Sequence, residues 1–411
     1  MSTRNKIVLI EFILIAGFTA SLLFHYQVWV HTGAGFPFST ILYLPKEQFT
    51  DFVREVVQSS KPYKTGTDDC IYPPFIEAVV NAVFVRILHG DLDRGLVLFI
   101  TLSIIGHLAV VRRYVQSDTW SETWRRVITF SFCCYPFLFA LDRANFEFWQ
   151  YFLLVFFVWA IQKEKWNAAN ILLAASVNFK PFLALLIPIY VARKRWGDLG
   201  KACIMSMLLF LGGTLYYGPN ILATLHDYRC TVGPCSTAML YTSHGVEYGC
   251  SLFGVCKILG SFIFRPFTLE SIHRLATVYM PAVSIVVILL AAYAALVERE
   301  LWKQLLIATA MMCILPPFAY DYRMYYLLLP MMMFMTRDRQ GAYDRAYCIL
   351  FGLLMVPKGY FHFSPPEISD TAVINPMIML LLIALVVKEG FMERRKGAPE
   401  LDSACACIST P

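Results

Sequence analysis

The sequence predicts an all-α polytopic membrane protein, and three observations carry that prediction. Hydrophobic residues make up 58% of the 411 positions and charged residues only 16%, where soluble chains carry about 25% charged residues. The apolar residues fall in continuous runs, whereas an outer-membrane barrel shows alternating segments of about ten residues. Aromatics at 15% suit helical spans, whose Trp and Tyr collect at the interfaces. With a mean hydropathy of +0.56 the chain belongs in a lipid bilayer. Disorder, a collagen-like fibre and nucleic-acid binding are excluded, because a net charge of +6 is small and spread over loops between apolar runs.

The first apolar run, 7–26, follows Arg4 and Lys6. It is longer than the roughly 7–15 apolar residues of a cleaved signal and no Ala-x-Ala site follows it, so it reads as an uncleaved helix with a cytoplasmic N-terminus. A polar stretch comes next, containing Asp51, Lys61, Asp68, Asp69 and the Tyr72-Pro73-Pro74 turn. Segment 75–88 carries Glu77, Asn81 and Arg86 and is expected to lie as a helix on the outer interface.

In three later stretches, two apolar runs of about 10–15 residues flank a polar motif, each run too short to cross a ~30 Å core comfortably. The motifs are Asp142-Arg143-Ala144-Asn145-Phe146-Glu147, Asn178-Phe179-Lys180-Pro181 and Tyr320-Asp321-Tyr322-Arg323. Basic residues bracket every pair: Arg125 and Arg126 with Lys163 and Lys165, those lysines with Arg193, Lys194 and Arg195, and Lys303 with Arg337 and Arg339. The positive-inside rule then puts both ends of each pair in the cytoplasm and each motif at the top of a hairpin. The remaining spans fall near 95–111, 202–217, 275–297, 346–356 and 372–387, giving about twelve crossings with both termini inside. Residues 1–390 form one transmembrane domain with external loops at about 28–94 and 218–274, and 391–411 a short cytoplasmic tail. Cytoplasmic connections are all short, so chemistry is expected on the outer face.

Cys230, Cys235, Cys250 and Cys256 all fall in the second external loop. Zinc sites usually space paired cysteines by two to four residues, and an extracytoplasmic loop is oxidising, so two disulfides are expected in preference to free thiols or a metal site. Cys133 and Cys134 read as small apolar fillers, and Cys405 and Cys407 in the tail are weak acylation candidates.

Ionisable groups beside a membrane are costly, so function is sought at the hairpin tops and in the first loop. Carboxylates (Asp51, Asp68, Asp69, Asp142, Glu147, Asp321) meet cations (Arg143, Lys180, Arg323) there. This mixture suits transfer of a sugar from a lipid-linked phosphate: an apolar groove for the lipid tail, Arg or Lys for the phosphate, and one carboxylate as base for the acceptor hydroxyl. No metal-ligand constellation is apparent, and no cofactor is implied.

Phe49-Thr50-Asp51-Phe52, Tyr72-Pro73-Pro74, Asp142-Arg143-Ala144-Asn145 with Glu147, Lys180-Pro181 leading to Arg193-Lys194-Arg195-Trp196, and Tyr320-Asp321-Tyr322-Arg323 occur in that order. Together, over roughly 45–335, they resemble glycosyltransferase family 87, the GT-C group that includes polyprenyl-phosphate-mannose-dependent mannosyltransferases and many bacterial relatives. The resemblance implies a GT-C fold in the bacterial cytoplasmic membrane, a polyprenyl-phosphate-linked sugar as donor with mannose favoured, a lipid or glycan acceptor, and an external site. It also implies a first-loop Asp as base, best matched by Asp51. Arg323, Lys180 and Arg143 are then the expected phosphate ligands, and Asp142, Asn145, Glu147, Asp321 and Tyr72 the other substrate contacts. Ala144 departs from the Asp-Arg-Gly-Asn of many relatives.

Each residue has a plainer reading. Asp51 would cap the segment 52–57, Asp68 and Asp69 would form a turn after Gly66, and Asp142 with Arg143, or Asp321 with Arg323, would be a structural ion pair. Lys180 would snorkel, His244 and Glu247 would be loop polars, and His25 and His107 core histidines. A carrier or flippase for lipid-linked sugars, or a polysaccharide polymerase, would share the groove and the cations. The hairpins do not fall into the two matching halves a carrier would show.

Overall fold

The hydroxyl of Ser2 accepts the Asn5 N–H and opens α1 (Thr3–Thr32), which Gly33 closes in the left-handed conformation at φ 70°. Chain order in this computed structural model continues through α2 (Thr50–Ser59), α3 (Pro74–Val80), α4 (Leu92–Val115), α5 (Trp120–Phe132), α6 (Tyr135–Arg143), α7 (Glu147–Gln162), α8 (Trp166–Phe179), α9 (Ile187–Ala192) and α10 (Trp196–Tyr217). There follow α11 (Ile221–Tyr241), α12 (Leu252–Ile263), α13 (Leu269–Leu296), α14 (Leu301–Ile314), α15 (Leu328–Thr336), α16 (Asp344–Met355) and α17 (Thr371–Arg395). A two-stranded ladder joins β1 (Phe361–Phe363) to β2 (Ile368–Ser369). The structure describes residues 1–33, 41–42, 45–60, 72–241, 246, 248–263, 268–358, 361–363 and 368–395. Asp68, Asp69, His244, Glu247, Cys405 and Cys407 lie outside these, as does the side chain of Cys235.

Among the described residues five helices, α1, α4, α10, α13 and α17, are long and apolar enough to cross a bilayer. The chain is thus a helical, integral membrane protein. Glu147–Gln162, Pro181–Ala192, Leu252–Ile263 and Leu301–Ile314 are shorter apolar helical stretches. Trp166 at the start of α8 meets Tyr190 at the end of α9 with ring centroids 5.6 Å apart, and the Tyr190 hydroxyl donates to Asn170 Oδ1 at 3.0 Å. The α8 helix and the Pro181–Ala192 limb therefore run antiparallel, with Lys180 at their turn. In the same way Trp302 of α14 lies 5.1 Å from Phe334 of α15, which places 320–323 at the closed end of that pair. The open end gathers the bracketing cations: Lys303 with Glu389 at 3.3 Å, and Arg337 with Glu300 at 2.9 Å and Asp344 at 2.6 Å. The expected span at 346–356 is α16, only 12 residues long, which lies along α1 with Gly352 against Ile13.

Segment 75–88 is helical. It begins at Pro74, where proline's missing N–H costs nothing, and passes into a π-helical turn, Asn81–Ile87. Asn81 donates to the Ser59 carbonyl at 2.8 Å and accepts from the Tyr216 hydroxyl at 2.8 Å, tying α2 to α10. Gly213 of α10 sits directly on the Pro74-Phe75 backbone, where any Cβ would collide.

The expected disulfides are a correction: Cys230, Cys250 and Cys256 are free thiols. Cys250 is buried with its Sγ facing the carbonyls of Cys313 and Tyr320 at 3.8 and 3.5 Å. Backbone pairing anchors this end of the loop, Cys250 N–H to Ala319 O at 2.8 Å and Asp321 N–H to Tyr248 O at 2.9 Å. His107 is a satisfied core histidine, with Nδ1 2.7 Å from the Tyr325 hydroxyl and Nε2 3.1 Å from Ser131 Oγ.

Candidate functional site

Two charge clusters meet where α2, the α6–α7 turn, the Lys180 turn and the 3-10 segment Asp321–Leu327 converge. The first is built on α2. Phe49, left-handed at φ 55°, precedes the helix and donates its N–H to the Asp142 carbonyl at 2.8 Å, pinning the start of α2 to the end of α6. Phe52 anchors α2 from beneath, buried among Phe84, Phe99 and Phe146 at 5.0 to 6.0 Å. Asp51 therefore stands in the first turn of a fixed helix, where the dipole favours a carboxylate, and not at the cap.

Arg143 donates to both carboxylate oxygens of Asp51, Nε to Oδ2 at 3.1 Å and Nη2 to Oδ1. Asn145 Nδ2 adds 2.6 Å to Oδ2 and Arg54 Nη2 3.2 Å to Oδ1. The third guanidinium nitrogen of Arg143 reaches Glu47 at 2.9 Å. Planar, two-pronged pairing of this kind sets orientation as well as charge. Asp142 Oδ1 accepts from Gln48 Nε2 at 3.3 Å.

The second cluster centres on Glu147, fully buried in the first turn of α7. It pairs with Lys180 and stands 3.8 Å from Arg323 Nε. Lys180 adopts the extended backbone that the following proline imposes, at φ −146°, ψ 118°, which swings its ammonium off the axis of α8. The Arg323 guanidinium lies over Phe182 at 4.7 Å and Phe318 at 5.9 Å, and Lys180 Nζ over Tyr72 at 5.1 Å. Burial pulls the Lys180 ammonium below its ordinary 10.5, with Glu147 working against burial and the charge of Arg323 adding to it. Asn145 joins the clusters, since its Oδ1 accepts the Glu147 N–H at 2.9 Å while its Nδ2 holds Asp51.

Asp321 points elsewhere. It is fully buried, accepting from the Tyr135 hydroxyl at 3.2 Å and Asn375 Nδ2 at 3.3 Å, while Arg323 two residues on faces Glu147. Sequence reasoning passed over Glu47, Arg54, and the Glu55–Glu77 pair, whose buried carboxyls share a hydrogen bond. The signal was available for two of them: Arg54 and Glu55 follow Asp51 by three and four positions, which a helix brings onto one face. Among the described residues no group of three or more His, Cys, Asp or Glu is arranged to hold a metal ion.

The sequence pattern of glycosyltransferase family 87 matches residues 71–317, more than half of the chain. The chain belongs to glycosyltransferase family 87. It is therefore a glycosyltransferase. Within the family 87 match lie Tyr72, Asp142, Arg143, Asn145, Glu147 and Lys180, whereas Asp51 precedes it and Asp321 and Arg323 follow it. A comparison with curated proteins finds no match.

Proposed function

We propose that this family 87 enzyme moves a hexose, mannose being favoured by the family resemblance, from a polyprenyl-phosphate donor to a hydroxyl of a lipid or glycan acceptor, with inversion. The carrying observation is the separation of the two clusters: a carboxylate held by donors on one side of Asn145, and two cations sharing one carboxylate on the other. Asp51 is the general base. Of its donors Arg54 is the most exposed, at 34%, and is the one that yields its place to the acceptor hydroxyl. The acceptor O–H proton passes to Asp51 as the oxygen attacks the anomeric carbon. The bond from that carbon to the phosphate oxygen breaks, and its electron pair leaves with the polyprenyl phosphate.

Lys180 and Arg323 take the phosphate. Arg323 Nε and Glu147 Oε2 are buried without a hydrogen-bond partner among the described residues, which supports an anion drawing Arg323 away from Glu147. In this reading the site faces the outer side of the bacterial cytoplasmic membrane and both termini are cytoplasmic. Support comes from Lys303, Arg337 and Lys6, which all sit at the end remote from Arg323, as the positive-inside rule requires of a cytoplasmic face.

The test is to incubate purified protein with a panel of polyprenyl-phosphate hexoses and a lipid extract, and to identify glycosylated product by mass. Transfer from one of them, lost in Asp51→Asn, is expected. Turnover of none, with movement of lipid-linked sugar across vesicles, would replace this reading with a carrier.

A further inference from the structure

Tyr322 is carried to the meeting point of the two charge clusters by the residues on either side of it. Before it, Asp321 is fixed through backbone and side chain: its N–H donates to the Tyr248 carbonyl at 2.9 Å, and its carboxylate accepts from Tyr135 and Asn375. After it, Arg323 stands 3.8 Å from Glu147. The Tyr322 ring packs on Tyr320 at 5.6 Å and on Phe139 at 5.9 Å. Phe139 is itself stacked against Tyr135 at 5.5 Å and Tyr248 at 5.6 Å, so the ring is held as firmly as the backbone. Phe139 also precedes Arg143 by one turn on the same face of α6. Tyr322 therefore lies along the part of α6 that carries the Arg143–Asp51 pair, while its chain neighbour belongs to the Glu147 cluster.

The half-buried Tyr322 keeps its hydroxyl without a hydrogen-bond partner among the described residues. The electrostatics agree with its placement, since the phenol feels Asp51, Arg323 and Glu147, and Arg143 feels the phenol. Tyr72 in turn feels Tyr322, Asp51 and Glu147. Burial first, and then the charge of Asp51, push the Tyr322 phenol well above its ordinary 10, with Arg323 opposing. It keeps its proton at neutral pH and stands as a neutral group that can both donate and accept. A sugar hydroxyl has the same double capacity. In an in-line displacement the transferred sugar lies between the attacking oxygen, at Asp51, and the departing phosphate, at Lys180 and Arg323.

We propose that Tyr322 is a specificity residue whose hydroxyl hydrogen-bonds one hydroxyl of the hexose being transferred, holding the anomeric carbon between Asp51 and the phosphate. This rests on the base and phosphate roles given above. The phosphate is not its partner, because two cations already face that anion, and the acceptor is not, because its oxygen must meet Asp51 itself.

Polyprenyl-phosphate hexoses each lacking one hydroxyl, offered to the wild-type protein and to Tyr322→Phe, test this. Phenylalanine keeps the ring contacts, so the melting temperature should not move. For the complete hexose, Tyr322→Phe should lower kcat/KM by about threefold to tenfold, the effect of one neutral hydrogen bond. One deoxy donor should be selected against by the wild type and not by the variant, because only the wild type has a hydroxyl left unpaired by it. An equal loss in the variant on every donor would overturn the contact, as would a wild type indifferent to all the deoxy donors. In either case, transfer of the complete hexose by wild type and its loss in Asp51→Asn would leave the reading of the reaction standing. Turnover of no complete hexose by wild type would overturn both. A Tyr322→Phe protein that fails to fold would make the hydroxyl a structural group and overturn the proposal as well.

Discussion

Arg143 and Asp51, 92 positions apart in sequence, form a two-pronged ion pair that fixes the carboxylate relative to the α6–α7 turn. The pair has a kinetic consequence. Asp51→Asn keeps the shape and loses the proton acceptor, so kcat should fall by about 10²–10⁴-fold, the usual contribution of a general base, with donor KM little changed. Arg143→Lys keeps the charge and loses the fork; kcat should fall by a smaller factor with the protein still folded. Near-normal turnover by Asp51→Asn in a single-turnover assay would remove it as the base.

Glu147 holds Lys180 and Arg323 together in a buried site, and the two cations are expected to exchange it for the donor phosphate. Arg323→Ala should therefore weaken donor binding by about 2–4 kcal/mol, the loss typical of a buried charged contact, and Lys180→Ala by a comparable amount. Titrating each variant with a non-transferable polyprenyl-phosphate analogue checks this. Unchanged affinity in both would place the phosphate elsewhere.

Ala144 ends α6 in the left-handed conformation, at φ 47°, ψ 47°, which costs an L-residue about 1 kcal/mol that glycine avoids. Ala144→Gly should consequently raise the melting temperature by a few degrees at most and leave kcat and KM intact, as followed by intrinsic fluorescence in detergent. A lower melting temperature would mean that the Ala144 methyl, fully buried, contributes more by packing than its backbone costs.

The sequence showed the class of fold plainly because lipid imposes continuous apolar runs, and it showed the turns because charge between two short runs has few places to go. Arg143, Lys180 and Arg323 could be grouped for that reason. The partners of each could not. Periodicity relates residues three or four apart, whereas Asp51 to Arg143 and Glu147 to Lys180 are contacts between elements, and only the folded chain shows Asp142 turned to Gln48 and Asp321 to Tyr135. Cys250 misled for a related reason: cysteine spacing carries no information about which side of a loop is buried, and its thiol faces backbone carbonyls in the core.

Glu55 lies one helical turn beyond Asp51, buried, with its carboxyl hydrogen-bonded to that of Glu77. Burial first, and then the like charge of Glu77, push Glu55 well above its ordinary 4.5, with Lys180 and Arg54 opposing. The folded chain therefore binds this proton more tightly than the unfolded chain does. Its contribution to stability is complete below the ordinary value of 4.5 and is lost as the pH rises from there toward the folded-state value. The melting temperature in detergent should accordingly fall between pH 5 and pH 8. Glu55→Gln supplies a permanent donor to Glu77 and cannot ionise, so it should reduce that fall by at least about 2 °C, the shift made by 1 kcal/mol in a large domain. If wild type and variant follow parallel curves over this range, the pair does not titrate there and both carboxyls must keep their charge state throughout.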